Sequence, residues 1–150
     1  MIGRYEVFSS SVSSMYHDIQ KIERVEMAKF GLKGPHAQCL LAMYRYREGV
    51  TSAQLCEICE KDKAAISRTV AELEQCGMVS RKQRNGSRYR AVLTLTEQGC
   101  AAAEAVSQRA RLAVEQAGMG LDDGQRQVFY QVLALISGNL HTICKDGLDK

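Results

Sequence analysis

Tryptophan is absent, aromatic residues make up only 6% of the chain, and Pro35 is the single proline among 150 residues. Beyond Pro35 nothing can break a helix by ring clash, which favours a mainly helical fold. No uninterrupted apolar run reaches the roughly 18 residues that a membrane span needs, so no membrane partner is expected. The N-terminal twenty residues mix Arg4, Glu6, five serines and Asp18 where an export signal would carry an apolar stretch, and a cytoplasmic location is expected. Charge of one sign is also scarce, with a net of +3. Hydrophobic residues at 45% and charged residues at 25% are near the average for globular proteins, enough for a core in one compact domain over 1–150. Six cysteines are present, but the chain is not of the small, weakly cored secreted type. They read as reduced thiols.

The modest net charge is unevenly placed. Residues 61–90 hold eight basic groups (Lys61, Lys63, Arg68, Arg81, Lys82, Arg84, Arg88, Arg90) against three acids (Asp62, Glu72, Glu74), a local net of +5, leaving −2 for the rest. A basic segment on a mildly acidic body suits a polyanion, because each Lys or Arg near a phosphate releases condensed counterions. A solvated loop would look the same by charge alone.

Apolar residues at Phe8, Val12, Met15, Ile19 and Ile22 step by three and four, predicting a helix over about 4–29. A second helix is expected over about 35–47, opened by Pro35, with Cys39, Leu40, Met43 and Tyr44 on its apolar side. Thr51 and Gln54 have capping-box spacing for a third helix over about 52–60. Asp62 can cap a fourth over about 63–76, with Ile66, Val70 and Leu73 as its apolar stripe and Gly77 as its stop. Two short helices joined by a tight turn make a helix-turn-helix pattern.

The period then changes. Residues 78–84 and 87–94 favour strands, and Asn85-Gly86 between them suits a type I′ hairpin turn. A basic hairpin directly after a helix-turn-helix is a wing. Thr96 opens an Ala-rich helix over about 96–117 with Val106, Ala110 and Val114. Asp122 and Gln125 box the start of another over about 122–145, carrying Phe129, Leu133, Ile136, Leu140 and Ile143. The apolar stripes of the first and last helices are too long for a winged unit of roughly 60 residues to cover, so they are expected to cover each other across a two-fold axis.

With Asp62-Lys63-Ala64-Ala65-Ile66-Ser67-Arg68-Thr69-Val70, then Leu73-Glu74, Gly77, Val79 and Arg81, and finally Leu95-Thr96-Glu97-Gln98-Gly99, the chain resembles the MarR family of bacterial transcription regulators over nearly its whole length. The resemblance implies a homodimer built from the terminal helices (about 4–29 and 96–145), with a winged helix-turn-helix lobe over about 35–95 entering the major groove of double-stranded DNA. It also implies a ligand-responsive repressor. The family's wing often carries an Asp followed two residues later by an Arg, where this chain has Ser87 and Tyr89, flanked by Arg88 and Arg90.

Individual residues take roles on this reading. Arg68 lies opposite Ile66, Val70 and Leu73, where a guanidinium can donate two hydrogen bonds to a guanine edge. Ser67 and Thr69 are short donors suited to phosphates or bases, and Ala64 and Ala65 permit close approach to thymine methyl groups. Lys63 in the first turn suits a phosphate. On the wing, Arg84, Arg88 and Arg90 are candidates for the minor groove or the phosphates. Tyr16, His36 and Tyr44 are candidates for a pocket accepting a small aromatic or phenolic effector, with ordinary packing and capping as the other reading.

Cys56 and Cys59, at i and i+3, read either as small apolar residues packing against the recognition helix or as a sensing pair. Arsenic-sensing regulators also place cysteines on this helix, so a thiol- or metal-sensing regulator stays open. A zinc site would need two further ligands, and His17, His36 and His141 show no matching spacing, so no metal or cofactor is expected. Cys39, Cys76, Cys100 and Cys144 read as core. A thiol oxidoreductase would place its CxxC at a strand-to-helix junction in a βαβ unit, an alternation missing here, and a bare scaffold would not need five basic residues without an acid between Arg81 and Arg90. No enzyme activity is expected.

Overall fold

The computed structural model describes residues 3–84 and 87–148, with the side chains of 83–90 outside the description. The expected Asn85-Gly86 turn therefore lies outside the described residues, as do the side chains of Arg84, Ser87, Arg88, Tyr89 and Arg90. The described elements run α1 (Arg4–Ala28), α2 (Gly34–Arg45), α3 (Ser52–Cys59), α4 (Lys63–Gln75), β1 (Val79–Arg84), β2 (Ser87–Leu95), α5 (Glu97–Ala117) and α6 (Asp123–Asp146). This is the mainly helical fold with a small antiparallel hairpin that the sequence predicts. No described helix is long and apolar enough to cross a membrane.

Except for α1, which opens at Gly3 without a side-chain cap, the helices start where a side chain accepts an amide of the first turn. Thr51 Oγ1 accepts the Gln54 amide at 3.2 Å, and Gln54 Oε1 accepts the Thr51 amide at 2.9 Å. Asp62 Oδ1 accepts the Ala65 amide at 2.7 Å. Asp122 Oδ1 accepts the Gln125 amide at 2.8 Å, and Gln125 Oε1 accepts that of Asp122 at 3.0 Å. At α2 the cap is an imidazole: His36 Nδ1 accepts the Lys33 amide at 2.9 Å. Between α3 and α4 the chain turns at Glu60, whose φ of 51° is left-handed, and the Lys61 amide returns to the Cys56 carbonyl at 3.1 Å.

Two glycines are required by geometry. Gly77, at φ +73°, ends α4 and lets the Met78 amide reach the Leu73 carbonyl at 2.9 Å. At Gly99 a Cβ would stand 2.0 Å from the Met78 carbonyl oxygen, so only hydrogen fits between α5 and the chain entering β1. Thr96 fastens the same junction, with its hydroxyl donating to the Gly77 carbonyl at 2.6 Å and accepting the Gly99 amide at 3.1 Å.

The hairpin pairs Val79 with Leu95 and Arg81 with Leu93, and its register shifts between Lys82 and Arg84. A single residue ahead of α3 adds a third rung: Val50 and Leu93 exchange backbone hydrogen bonds at 3.0 and 2.8 Å. No strand was expected at Val50, because one residue has no period to read.

The chain divides into two compact units, residues 1–112 and 113–150. The core lies in the first. Met27, Leu40, Met43, Leu55, Ile66, Leu73, Leu93 and Val106 are buried there, each contributing about 1.5–3 kcal/mol by leaving water. By contrast, α6 buries none of its 24 residues within this chain.

Candidate nucleic-acid interface

The α4 stripe of Ile66, Val70 and Leu73 faces the core, which turns Lys63, Ala64, Ser67 and Arg68 outward together on one exposed face. Ala65 is half-buried, and its amide is taken by the Asp62 cap. Thr69 does not join the outward face. Its side chain is buried, because three residues after Ile66 and four before Leu73 it falls on the inward stripe. The reading of Thr69 as a phosphate or base donor is therefore corrected to a packing residue.

A bond absent from the sequence reading holds this helix in its last turn. His36 Nε2 lies 2.6 Å from Glu72 Oε2. Since His36 Nδ1 is already an acceptor for the Lys33 amide, Nε2 carries the proton and donates it to the carboxylate. The bridge from His36 holds the Glu72 carboxyl below the usual carboxylate range, with Lys33 and Arg68 adding to the effect. One imidazole thus caps α2 and ties it to α4, one turn beyond Arg68.

At the base of the hairpin, Arg81 Nε donates to Glu74 Oε1 at 2.7 Å. Arg81 is therefore committed to joining α4 and β1, while Lys82 is exposed. The wing candidates Arg84, Arg88 and Arg90 have side chains outside the described residues.

The three effector candidates are not brought together around one cavity. His36 is buried in the bridge just described. Tyr44 packs on the core with the Arg47 guanidinium 4.6 Å from its ring centroid. Tyr16 is exposed on α1, and Gln38 Nε2 donates to its hydroxyl at 3.4 Å. Gln38 in turn lines two clefts that flank Pro35. One, of about 200 Å³, is lined by Gln20, Glu23, Arg24, Pro35, Ala37 and Gln38; burial raises the Glu23 carboxyl above its usual range, with Arg45 opposing. The other, of about 170 Å³, is lined by Cys39, Cys59, Lys61, Ala65, Ile66 and Thr69 beside Pro35 and Gln38.

The cysteines also depart from expectation. Cys56 and Cys59 are half-buried against the core, and Cys59 lines the cleft behind α4 together with Cys39 of α2. Cys76 and Cys144, expected in the core, are exposed in this chain. Among the described residues no three His, Cys, Asp or Glu side chains are placed to hold a metal ion.

Set beside known proteins, the sequence pattern described as the MarR family matches residues 30–88, from the end of α1 through the helix-turn-helix into β2. Over these residues the chain is similar to the MarR family. An uncharacterised HTH-type transcriptional regulator of Bacillus subtilis (strain 168), YdgJ, is 24% identical over 140 residues, covering 91% of this chain and 85% of that protein. A MarR transcriptional regulator from Methanosarcina mazei Go1 superposes with a TM-score of 0.81 at 22% identity, covering 95% of this chain and 94% of the other. A MarR family regulator from Listeria monocytogenes, solved with a 26-mer DNA, gives 0.78 at 18% identity, covering 99% and 93%. The MarR winged-helix fold therefore extends across nearly the whole chain.

Proposed function

We propose that this chain is a non-catalytic, sequence-specific DNA-binding transcriptional regulator that acts as a homodimer and represses from an inverted-repeat operator. The observation that carries the reading is the exposed face of α4. Its outward residues are a guanidinium, an ammonium, a hydroxyl and a methyl group, on a helix whose opposite face is locked into the core and whose last turn is tied down by His36. A rigid helix presenting Lys63 in its first turn and Arg68 in the next is suited to the major groove, with Arg68 reading a guanine edge and Lys63 contacting a phosphate. Ala64, Ala65 and Ser67 allow close approach, and Arg84, Arg88 and Arg90 supply the wing's contacts to the duplex. The 26-mer DNA bound to the similar Listeria regulator supports DNA as the partner of this chain.

The dimer is supported by surface the single chain leaves uncovered. On α1, Phe8, Val12 and Met15 are exposed, and on α6 so are Phe129, Leu133 and Leu140. A 24-residue helix that buries nothing within its own chain has little reason to persist alone in water. Pairing these faces with a second copy accounts for both helices.

Ligand response is the finer part of the reading. A small aromatic or phenolic acid is the class that suits the cleft lined by Arg24 and Gln38, with Arg24 for its carboxylate and Tyr16 adjoining through Gln38. Such a molecule acts only by binding one spacing of the two lobes better than another. Gel-shift titration against the DNA upstream of the chain's own gene, across a range of salt, tests the proposal. Tight binding that weakens steeply with salt and survives excess random DNA supports it, and equal affinity for every sequence contradicts it.

A further inference from the structure

We propose that His36 and Glu72 are a positioning pair for DNA reading: the imidazole fixes the Glu72 carboxylate, and the carboxylate steadies Arg68 in the orientation that tells one base from another. The inference rests on the DNA-binding function proposed above. It adds to that reading an acid on the recognition helix and a buried histidine on α2.

Glu72 is out of place for a face that meets a polyanion. Its side chain is 47% exposed, and it follows Arg68 by four residues, which turns it only about 40° from Arg68 around the helix axis. A carboxylate there repels phosphates, so a helix that merely adhered to DNA would bind more tightly without it. The fold nevertheless holds the acid in place. His36 Nε2 donates to Glu72 Oε2 at 2.6 Å, and the ring cannot turn away because its Nδ1 accepts the Lys33 amide at 2.9 Å. Both nitrogens of a buried imidazole are thus spent on fixing one surface carboxylate.

The neighbour that gains from this is Arg68. Side chains four apart on a helix lie side by side, and the Glu72 carboxyl, held low first by the His36 bridge and then by Lys33, responds to the Arg68 charge as well. With Oε2 engaged by His36, Oε1 is the oxygen left for a second donor. A guanidinium has five N–H donors, so one edge can lean on that oxygen while the other keeps two parallel donors for the O6 and N7 of guanine. Steadying Arg68 while repelling phosphates favours the right sequence over any sequence, which is discrimination by attraction and repulsion together.

A double-variant cycle in the full chain tests the pair, using competition between the DNA upstream of its own gene and random duplex at one salt concentration. Thermal unfolding checks that each variant is folded. Glu72→Gln keeps an amide oxygen for His36 and removes only the charge. It should bind random duplex at least as tightly as wild type, yet lose about threefold or more of the ratio of operator to random affinity, within the coupling known for neighbouring side chains. In an Arg68→Ala background the same substitution should leave the ratio unchanged. His36→Gln, whose amide oxygen and nitrogen can meet Lys33 and Glu72 as the two ring nitrogens do, should keep the ratio within about twofold, because both hydrogen bonds survive. His36→Glu can still accept the Lys33 amide but cannot donate to Glu72, and should lose the ratio as Glu72→Gln does; if it does not fold, the Glu72 arm decides alone. An unchanged ratio in Glu72→Gln, equal weakening on both DNAs, or the same loss with and without Arg68 overturns the positioning pair and leaves the DNA-binding function standing. A wild type that binds every sequence equally overturns that function, and this inference with it.

Discussion

Replacing Gly99 with alanine sets two well-understood effects against each other. Gly99 sits in the first turn of α5, and in a helix alanine is better than glycine by up to about 1 kcal/mol. Propensity alone therefore predicts a more stable protein. The added methyl, however, would lie 2.0 Å from the Met78 carbonyl oxygen and 2.9 Å from its carbon, backbone atoms with no rotamer to escape into. That oxygen also accepts the Thr96 amide at 3.0 Å, so moving it lengthens a hydrogen bond worth about 1 kcal/mol. Overpacking a tight site costs about 1–3 kcal/mol, and adding the strained bond gives about 2–4 kcal/mol against a gain of at most about 1. The net expectation is a loss of about 1–3 kcal/mol. Urea unfolding followed by circular dichroism measures it, with wild type and variant at one protein concentration because the stability of the proposed dimer would depend on it. A variant more stable than wild type by about 1 kcal/mol would show that the junction yields and refute the reasoning.

Three further outcomes are expected. Arg68→Ala lowers discrimination between operator and random DNA by about 1–3 kcal/mol in competition binding, and equal weakening on both would move Arg68 to the phosphate backbone. Glu72 has its carboxyl held low in the fold, so its bridge stabilises fully above the ordinary carboxylate range and is lost as pH falls through the lowered value; Glu72→Gln should therefore flatten the acid limb of a stability profile, and an unchanged limb would count against the bridge. Phe129→Glu on the exposed face of α6 should shift sedimentation toward the single chain while leaving the buried core of residues 1–112 folded, and an unchanged dimer would place the interface elsewhere.

The legibility of this fold in its sequence followed the range of the interactions. Helix starts were readable because the cap partners lie three residues apart: Thr51 with Gln54, Asp62 with Ala65, Asp122 with Gln125. The inward stripe of α4 was readable as well, yet Thr69 was assigned to DNA for its hydroxyl although its position between Ile66 and Leu73 already placed it inside. The pairs that join elements left no local trace. His36 with Glu72, Arg81 with Glu74 and Val50 with Leu93 meet only once the helices pack. A histidine three residues after the start of a helix reads as a cap, and nothing in its neighbourhood says that its other nitrogen serves the recognition helix.

The central claim is that two copies of α4 read DNA together, and footprinting the chain on the DNA upstream of its own gene tests it most directly. A homodimer predicts protection of an inverted repeat whose half-site centres lie about 10 base pairs apart, lost in Arg68→Ala. Protection of a single unrepeated half-site by a species that sediments as one chain would contradict it.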